Sequence, residues 1–294
     1  MKLILLASNP KLYSNQRLIV AANSLGYDIS FVNIADCYFK VSTNDCSIFY
    51  EGAKINNVDA IIPRIKPALT HYATSLLRQF ELTNIYCLNN SLAINISRDK
   101  LHTLQILAKH NFPVPTTSFA NSACYTNDLI NIVNQSPLVI KLLQGTKGVG
   151  VMLAETNKTA ESIINSFRSL RADILVQQYI KEANGEDFRC FVIGNKVVAT
   201  MQRIAQYGDF RANIHLGAIG KAVKISDDEE QMAVQASKII GLDIAGVDMV
   251  RSSEGLKILE INSSPGLEGI EKATKIDIAK EIMLYLSNQI KYGK

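Results

Sequence analysis

The chain has 294 residues, of which 47% are hydrophobic and 20% charged, with 16 glycines and 7 prolines. These values exclude disordered, collagen-like and low-complexity classes and allow two or three packed units with sizeable cores. The 31 basic and 27 acidic residues leave a formal charge of +4, too weak a single-sign field for a protein made chiefly to grip nucleic acid, although a locally basic, anion-accepting cleft remains allowed.

Residues Met1 to Ala7 are apolar, but Asn9, Pro10 and Lys11 end the run below signal-peptide or membrane-span length. The segment reads as a first strand, in a cytoplasmic protein without a membrane partner. Tyr13 to Leu25 follows with helical spacing and is closed by Gly26. Ile29 to Ile34, Val58 to Ile62 and Ile85 to Leu88 read as strands, and Thr70 to Leu82 as a helix. That alternation predicts a small parallel α/β unit over 1–97. Ser97-Arg98-Asp99 opens a further helix, ended by Asn111 and Pro113. A second unit, 98–180, holds strands at Leu138–Leu143, Val151–Ala154 and Ile174–Ile180 and a helix at Ala160–Leu170. The third, 181–294, holds two hairpins, turning at Gly194-Asn195 and at Ser252–Gly255, with a helix at Asp228–Ile240 between them and another closing the chain.

The five cysteines, Cys37, Cys46, Cys87, Cys124 and Cys190, are odd in number, far apart and without a CxxC pair. They read as reduced thiols. His71, His102, His110 and His215 lack metal-ligand spacing, so no zinc site is expected.

The second hairpin carries the strongest chemical signal. With its turn at Ser252–Gly255, Asp248 lies nearly opposite Glu260, and strand alternation puts Glu260 and Asn262 on one face. Two carboxylates about 4 Å apart repel by roughly 4 kcal/mol at an effective dielectric near 20, so the pair calls for a cation, and oxygen-only donors favour Mg²⁺ or Mn²⁺. The alternative is two solvated carboxylates on an exposed face. Asp248→Asn or Glu260→Gln is expected to leave the fold intact, with stability rising slightly without metal as cross-strand repulsion is relieved. Lys141 interrupts the apolar run Leu138–Leu143 and needs a partner. The loop that follows, Gln144-Gly145-Thr146-Lys147-Gly148-Val149-Gly150, has glycines that let backbone N–H groups approach phosphate oxygens. Arg64 ends a predicted parallel strand, where ligand crevices form, and is either a holder of a substrate carboxylate or a structural arginine.

A strand lysine, a glycine-rich loop and a carboxylate hairpin in this order, with Gln177-Gln178-Tyr179-Ile180 between and Asn262-Ser263-Ser264-Pro265-Gly266 after, resemble the ATP-grasp enzymes. Arg98-Asp99-Lys100, Gly145-Thr146 with Gly148 and Gly150, Gly208-Asp209-Phe210-Arg211, Gly246-Val247-Asp248 and Ser264 through Glu271 are similar to the RimK family, ligases that add glutamate to the C-terminus of small-subunit ribosomal protein S-six. Leu12-Tyr13-Ser14 and Ile62-Pro63-Arg64-Ile65 fit as well, so the resemblance spans the chain.

The resemblance implies an α/β chain with an ATP-grasp fold behind an N-terminal parallel-sheet, or pre-ATP-grasp, domain. It implies ATP held by Lys141, by Gly145, Gly148 and Gly150, and by backbone groups of Gln178 and Tyr179. Asp187 would meet the ribose, and Arg211 and Asn213 the phosphates. Lys141 and Arg211 take the catalytic roles. Asp248, Glu260 and Asn262 match metal ligands for two Mg²⁺ or Mn²⁺ ions, with Glu260 bridging. The implied reaction is ATP-dependent amide formation through an acyl phosphate. L-Glutamate and the C-terminal tail of a ribosomal protein are the implied partners, with homo-oligomerisation and no direct nucleic-acid binding. Two departures stand out: Gln178 where relatives have Glu, and Leu216-Gly217-Ala218 where the family has Arg-Gly-Gly, which removes a contact to an anionic acceptor. The competing readings are a ligase acting on a small molecule or another carrier protein, and a nucleotide sensor without turnover.

Overall fold

The computed structural model describes residues 1–120, 125–143 and 150–292. Cys124, Gly145 and Gly148 lie outside the described residues. The first sheet is parallel, in the order Asp28–Asn33, Lys2–Ala7, Ala60–Arg64, Tyr86–Cys87. Its inner strands are near-continuous apolar runs because helices cover both faces. Leu3, Leu5 and Ile62 pack with Leu18, Ala21 and Ala22 of the helix Tyr13–Ser24. Ile4, Leu6 and Ile61 pack with Leu76, Leu77 and Phe80 of the helix Thr70–Leu82.

The second sheet is antiparallel, in the order Val151–Ala154, Leu138–Leu142, Ile174–Gln178, Thr117–Ala120. One face buries Leu138, Ile140, Ile174 and Val176 against the helices Thr126–Ile132 and Asn157–Ser169. Alternation sends Val139 and Lys141 to the other face, toward a cavity. Among the described residues this apolar cluster draws only on the stretch from Ala120 to Val176.

The third sheet is a five-stranded antiparallel array, Ile219–Ala222, Lys196–Ile204, Glu186–Ile193, Ile244–Ser252, Gly255–Asn262. Cys190, Val192, Val247 and Met249 face the helix Asp227–Ile240, whose start carries a capping box between Ser226 and Glu229. On the opposite face, Phe191 and Ile244 meet Ile282 and Leu286 of the helix Ile278–Tyr292 and join the cluster that contains Leu3 and Leu5. The first and third sheets thus share one core.

Several elements are absent from the sequence reading. The helix Ser91–Arg98 precedes the one capped by Asp99, whose side chain accepts from the His102 N–H at 3.0 Å. A three-stranded ribbon, Cys37–Phe39, Ile48–Tyr50 and Ala53–Lys54, flanks the first sheet. No helix among the described residues is long and apolar enough to cross a membrane.

Asn89 joins the first unit to the third. Its Nδ2 donates to the carbonyls of Ile244 and Ser263, both at 2.8 Å, and its Oδ1 accepts from the Ile244 N–H at 2.9 Å, at a site 2% exposed. Asn89→Ala strands those backbone groups away from water and should cost about 2–4 kcal/mol in urea unfolding. A loss below about 1 kcal/mol would mean that the link contributes little.

Candidate active site

The hairpin Ile244–Ser252 with Gly255–Asn262 is irregular at one point. Its register runs Ser252 with Gly255 and Met249 with Ile258, but Asp248 with Glu260, leaving Leu259 as the extra residue of a β-bulge. Without the bulge Asp248 would face an apolar leucine. With it, Asp248 and Glu260 stand directly opposite one another, and Gly246 pairs with Asn262. Asn262 Nδ2 lies 3.1 Å from Glu260 Oε1 and 3.5 Å from Asp248 Oδ2. Three oxygen-bearing side chains converge as the alternation predicts.

The counter-charges, however, are arginines that the sequence reading did not single out. Arg189 is the register partner of Asp248 on the neighbouring strand, and Asp187 that of Arg203 on the next. Arg189 forks Asp248, with Nη2 to Oδ2 at 2.6 Å and a second bond from Nε to Oδ1. Arg203 forks Asp187 with two bonds of 2.6 Å and reaches Asp248 Oδ2 at 2.9 Å. Gly246 makes room for this: a Cβ there would come within 2.8 Å of Pro265 Cβ and 3.1 Å of Arg189 Cδ.

Burial works against the Asp248 charge, but Arg189 and Arg203 prevail and draw its carboxyl down to about 2. Asp187 is moved the other way, to about 6, by desolvation that Arg203 only partly offsets. For Arg203, desolvation is outweighed by Asp248 and Asp187, which raise it above its ordinary value. The arginines argue against the expectation that Asp248→Asn would spare the fold. Cross-strand repulsion is not the dominant force, because two buried guanidiniums already hold the carboxylate.

Lys141 donates to Gln177 Oε1 at 2.7 Å, and Gln177 Nε2 donates onward to Thr117 Oγ1 at 2.9 Å. Desolvation lowers the Lys141 ammonium, while the field of Glu260 supports its charge and that of Lys100 opposes it. Lys100, at the start of the helix Lys100–Lys109, is likewise lowered by burial and supported by Glu260. It too was missed, because sequence spacing says nothing of its meeting Lys141.

Lys141, Gln178, Tyr179, Asp187, Arg211, Asn213, Asp248, Glu260, Asn262 and Arg64 all line one cavity of about 870 Å³, within the size range of ligand sites. Gly150 does not line it. Its φ of +74° and a would-be Cβ 2.5 Å from Leu142 Cδ1 favour glycine there, just before the strand Val151–Ala154. Gln178 commits its backbone N–H to the Thr116 carbonyl at 2.8 Å, so on that residue the carbonyl is the backbone group left for a ligand. Arg211 is forked onto Asp209 by Nε at 3.0 Å and Nη2 at 2.9 Å, which raises it, and sits 5.9 Å from the Phe210 ring centroid. Arg64 ends its parallel strand and donates to Pro265 O at 2.8 Å.

Two carboxylates and an amide fit a hard divalent cation: Asp248 Oδ2 is taken by both Arg189 and Arg203, but Oδ1, bonded to Arg189 Nε, keeps a second lone pair, Glu260 offers its own oxygens, and the amide can turn its oxygen inward. Among the described residues no cluster of three His, Cys, Asp or Glu side chains forms; Asn262, 3.1 Å from Glu260 Oε1, would be the third donor of such a site.

Residues 97–286 match the RimK-like ATP-grasp domain family, and residues 1–94 match the RimK PreATP-grasp domain family. A probable alpha-L-glutamate ligase of Shewanella pealeana is 55% identical over 280 residues, 95% of this chain and 61% of that protein. The chain thus spans about three fifths of that relative's length. A probable alpha-L-glutamate ligase of Cellvibrio japonicus is 48% identical over 99% of this chain and 97% of its own. In shape the chain is similar to the ATP-grasp ligase PsnB complexed with minimal precursor, Mg and ADP, with TM-score 0.77, 19% identity, and 98% of each chain covered. It is also similar to a RimK domain ATP-grasp protein of Sphaerobacter thermophilus, with TM-score 0.71, 20% identity, and 97% and 99% covered.

Asp248→Asn removes the shared partner of two buried guanidiniums and should cost about 3–5 kcal/mol in urea unfolding without added metal. Glu260→Gln, whose carboxylate is only half-buried beside the lysines, should cost clearly less. Equal effects would contradict the charge row described here.

Proposed function

The chain belongs to the RimK family of ATP-dependent ATP-grasp ligases, and on that premise we propose that it is an alpha-L-glutamate ligase that extends a carboxyl-terminated acceptor. The S-six type of ribosomal protein tail is the acceptor that the family resemblance favours. The observation that carries the reading is convergence: Lys141 from the second sheet and the Asp248, Glu260 and Asn262 group from the third meet across one cavity, with Lys141 in the field of Glu260.

ATP is taken between these two sheets. Lys141 and Lys100 supply charge to its phosphates, Arg211 offers a planar fork to phosphate oxygens once it exchanges Asp209 for them, and Asn213 adds a polar contact. Asp187, held by Arg203, keeps lone pairs for ribose hydroxyls. Asp248, Glu260 and Asn262 would hold Mg²⁺ or Mn²⁺, two ions if Glu260 bridges, and such ions neutralise charge on phosphate oxygens. An acceptor carboxylate oxygen bonds to the γ-phosphorus as the bond to ADP breaks. The glutamate α-amine then bonds to the acyl carbon, phosphate leaves, and the amine proton passes to it or to solvent. The separate core of the second sheet suits a lid that keeps water from the acyl phosphate. A homo-oligomer in the cytoplasm completes the reading.

Mass spectrometry of the chain incubated with ATP, Mg²⁺, L-glutamate and peptides ending in free carboxylates should show products spaced by single glutamyl units. Each product ends in a new α-carboxylate like the one just used, so the ladder should shorten as salt screens capture of the acidic tail. One uniform adduct at low salt and saturating glutamate would favour a small-molecule ligase, and ADP release indifferent to glutamate would refute the ligase reading. Lys141→Ala should weaken nucleotide binding by about tenfold or more in calorimetry while sparing glutamate. Unchanged nucleotide affinity would make Lys141 a structural residue.

A further inference from the structure

Two arginines on the first-sheet side of the cavity have no acidic partner among the described residues. Arg64 makes its hydrogen bond to the Pro265 carbonyl, and Arg98, at the end of the helix Ser91–Arg98, donates from Nη2 to the Ile65 carbonyl at 2.5 Å. A guanidinium has five N–H donors, so each is under-used, and Arg98 Nε is buried with no acceptor among the described residues. Ser264 Oγ, adjacent to Pro265, is buried and unpartnered in the same way. All three side chains line the cavity. Burial, together with the neighbouring Arg98 charge, pushes Arg64 down to about 10, and burial also lowers Arg98.

This is the reverse of the arrangement around Asp248, where each guanidinium has a carboxylate. Two desolvated like charges without an anion are unfavourable in themselves, and a planar carboxylate matches the forks that they present. We propose that Arg64 and Arg98, with the Ser264 hydroxyl, form the subsite for the α-carboxylate of the incoming glutamate. The inference rests on the glutamate-ligase reading and says which carboxylate goes where.

The choice follows from charge. The acceptor carboxylate must give electron density to phosphorus, and a pair of uncompensated cations would withhold it. The α-carboxylate of glutamate keeps its full charge through the reaction and needs a fixed counter-charge. Its α-amine lies one carbon away, so anchoring it aims the nucleophile. Pro265, to which Arg64 is tied, follows Asn262 by three residues, which sets this subsite beside the carboxylate hairpin.

The test is calorimetric titration of the full chain, loaded with AMP-PNP and Mg²⁺, with L-glutamate, L-glutamine and L-isoglutamine. Glutamine keeps the α-carboxylate, and isoglutamine replaces it with an amide while keeping the γ-carboxylate. Wild-type protein should bind isoglutamine at least about tenfold more weakly than glutamate. Arg64→Lys and Arg98→Lys, which keep the charge but lose the fork, should each weaken glutamate and glutamine alike, by about tenfold, and leave isoglutamine and AMP-PNP within about twofold. The wild-type comparison stands even if a variant fails to fold. If glutamate binds but the α-amide binds as well, the subsite is wrong while the ligase reading survives. If the lysine variants weaken AMP-PNP instead, the pair holds nucleotide phosphate, and the proposal falls. If wild-type protein binds no glutamate, the ligase reading falls and takes the subsite with it.

Discussion

A carboxylate that is 2% exposed, in the lining of the cavity, is the constraint around which the third sheet is organised. Asp248 cannot remain ionised there without nearby cations. The sheet supplies them by register: Arg203 opposite Asp187 and Arg189 opposite Asp248, with Glu260 on the far side of Asp248, a row of charges across four strands in which each aspartate faces an arginine. A one-residue slip in any pairing would put the row onto the face that packs against the helix Asp227–Ile240. Functional geometry and strand register are thus the same requirement.

That row also separates what the chain's sequence reveals from what it hides. The hairpin turn at Ser252–Gly255 and strict alternation place Asp248, Glu260 and Asn262 together, because the relevant distances are local. Even so, the bulge at Leu259, which turns near-opposition into direct opposition, leaves no mark in residue types. Arg189 and Arg203 precede Asp248 by 59 and 45 positions, and the hairpin that carries them announces only its turn at Gly194-Asn195. Their identity as counter-charges depends on how two hairpins pair, which is a tertiary fact.

The same reasoning applies to the elements. Long periodic segments such as Thr70–Leu82 and Asp227–Ile240 are legible because packing on one face sets their period. The helix Ser91–Arg98 has only 8 residues, about two turns, too few for a helical period to stand out in the sequence. The strand Ile219–Ala222 has exposed residues at three of four positions, so no apolar alternation betrays it. Both are set by the neighbours against which they pack rather than by propensity.

The unshared core of the second sheet has a bearing on how the molecule comes apart. Because its apolar cluster, among the described residues, takes nothing from outside Ala120–Val176, while the first and third sheets are fused through Leu3, Leu5, Phe191 and Ile244, the fold divides into two cooperative units of unequal size. The smaller one carries Lys141, and the cavity is lined from both units. Whatever fills that cavity therefore acts as mortar between the two units, so occupancy and mechanical cohesion rise and fall together.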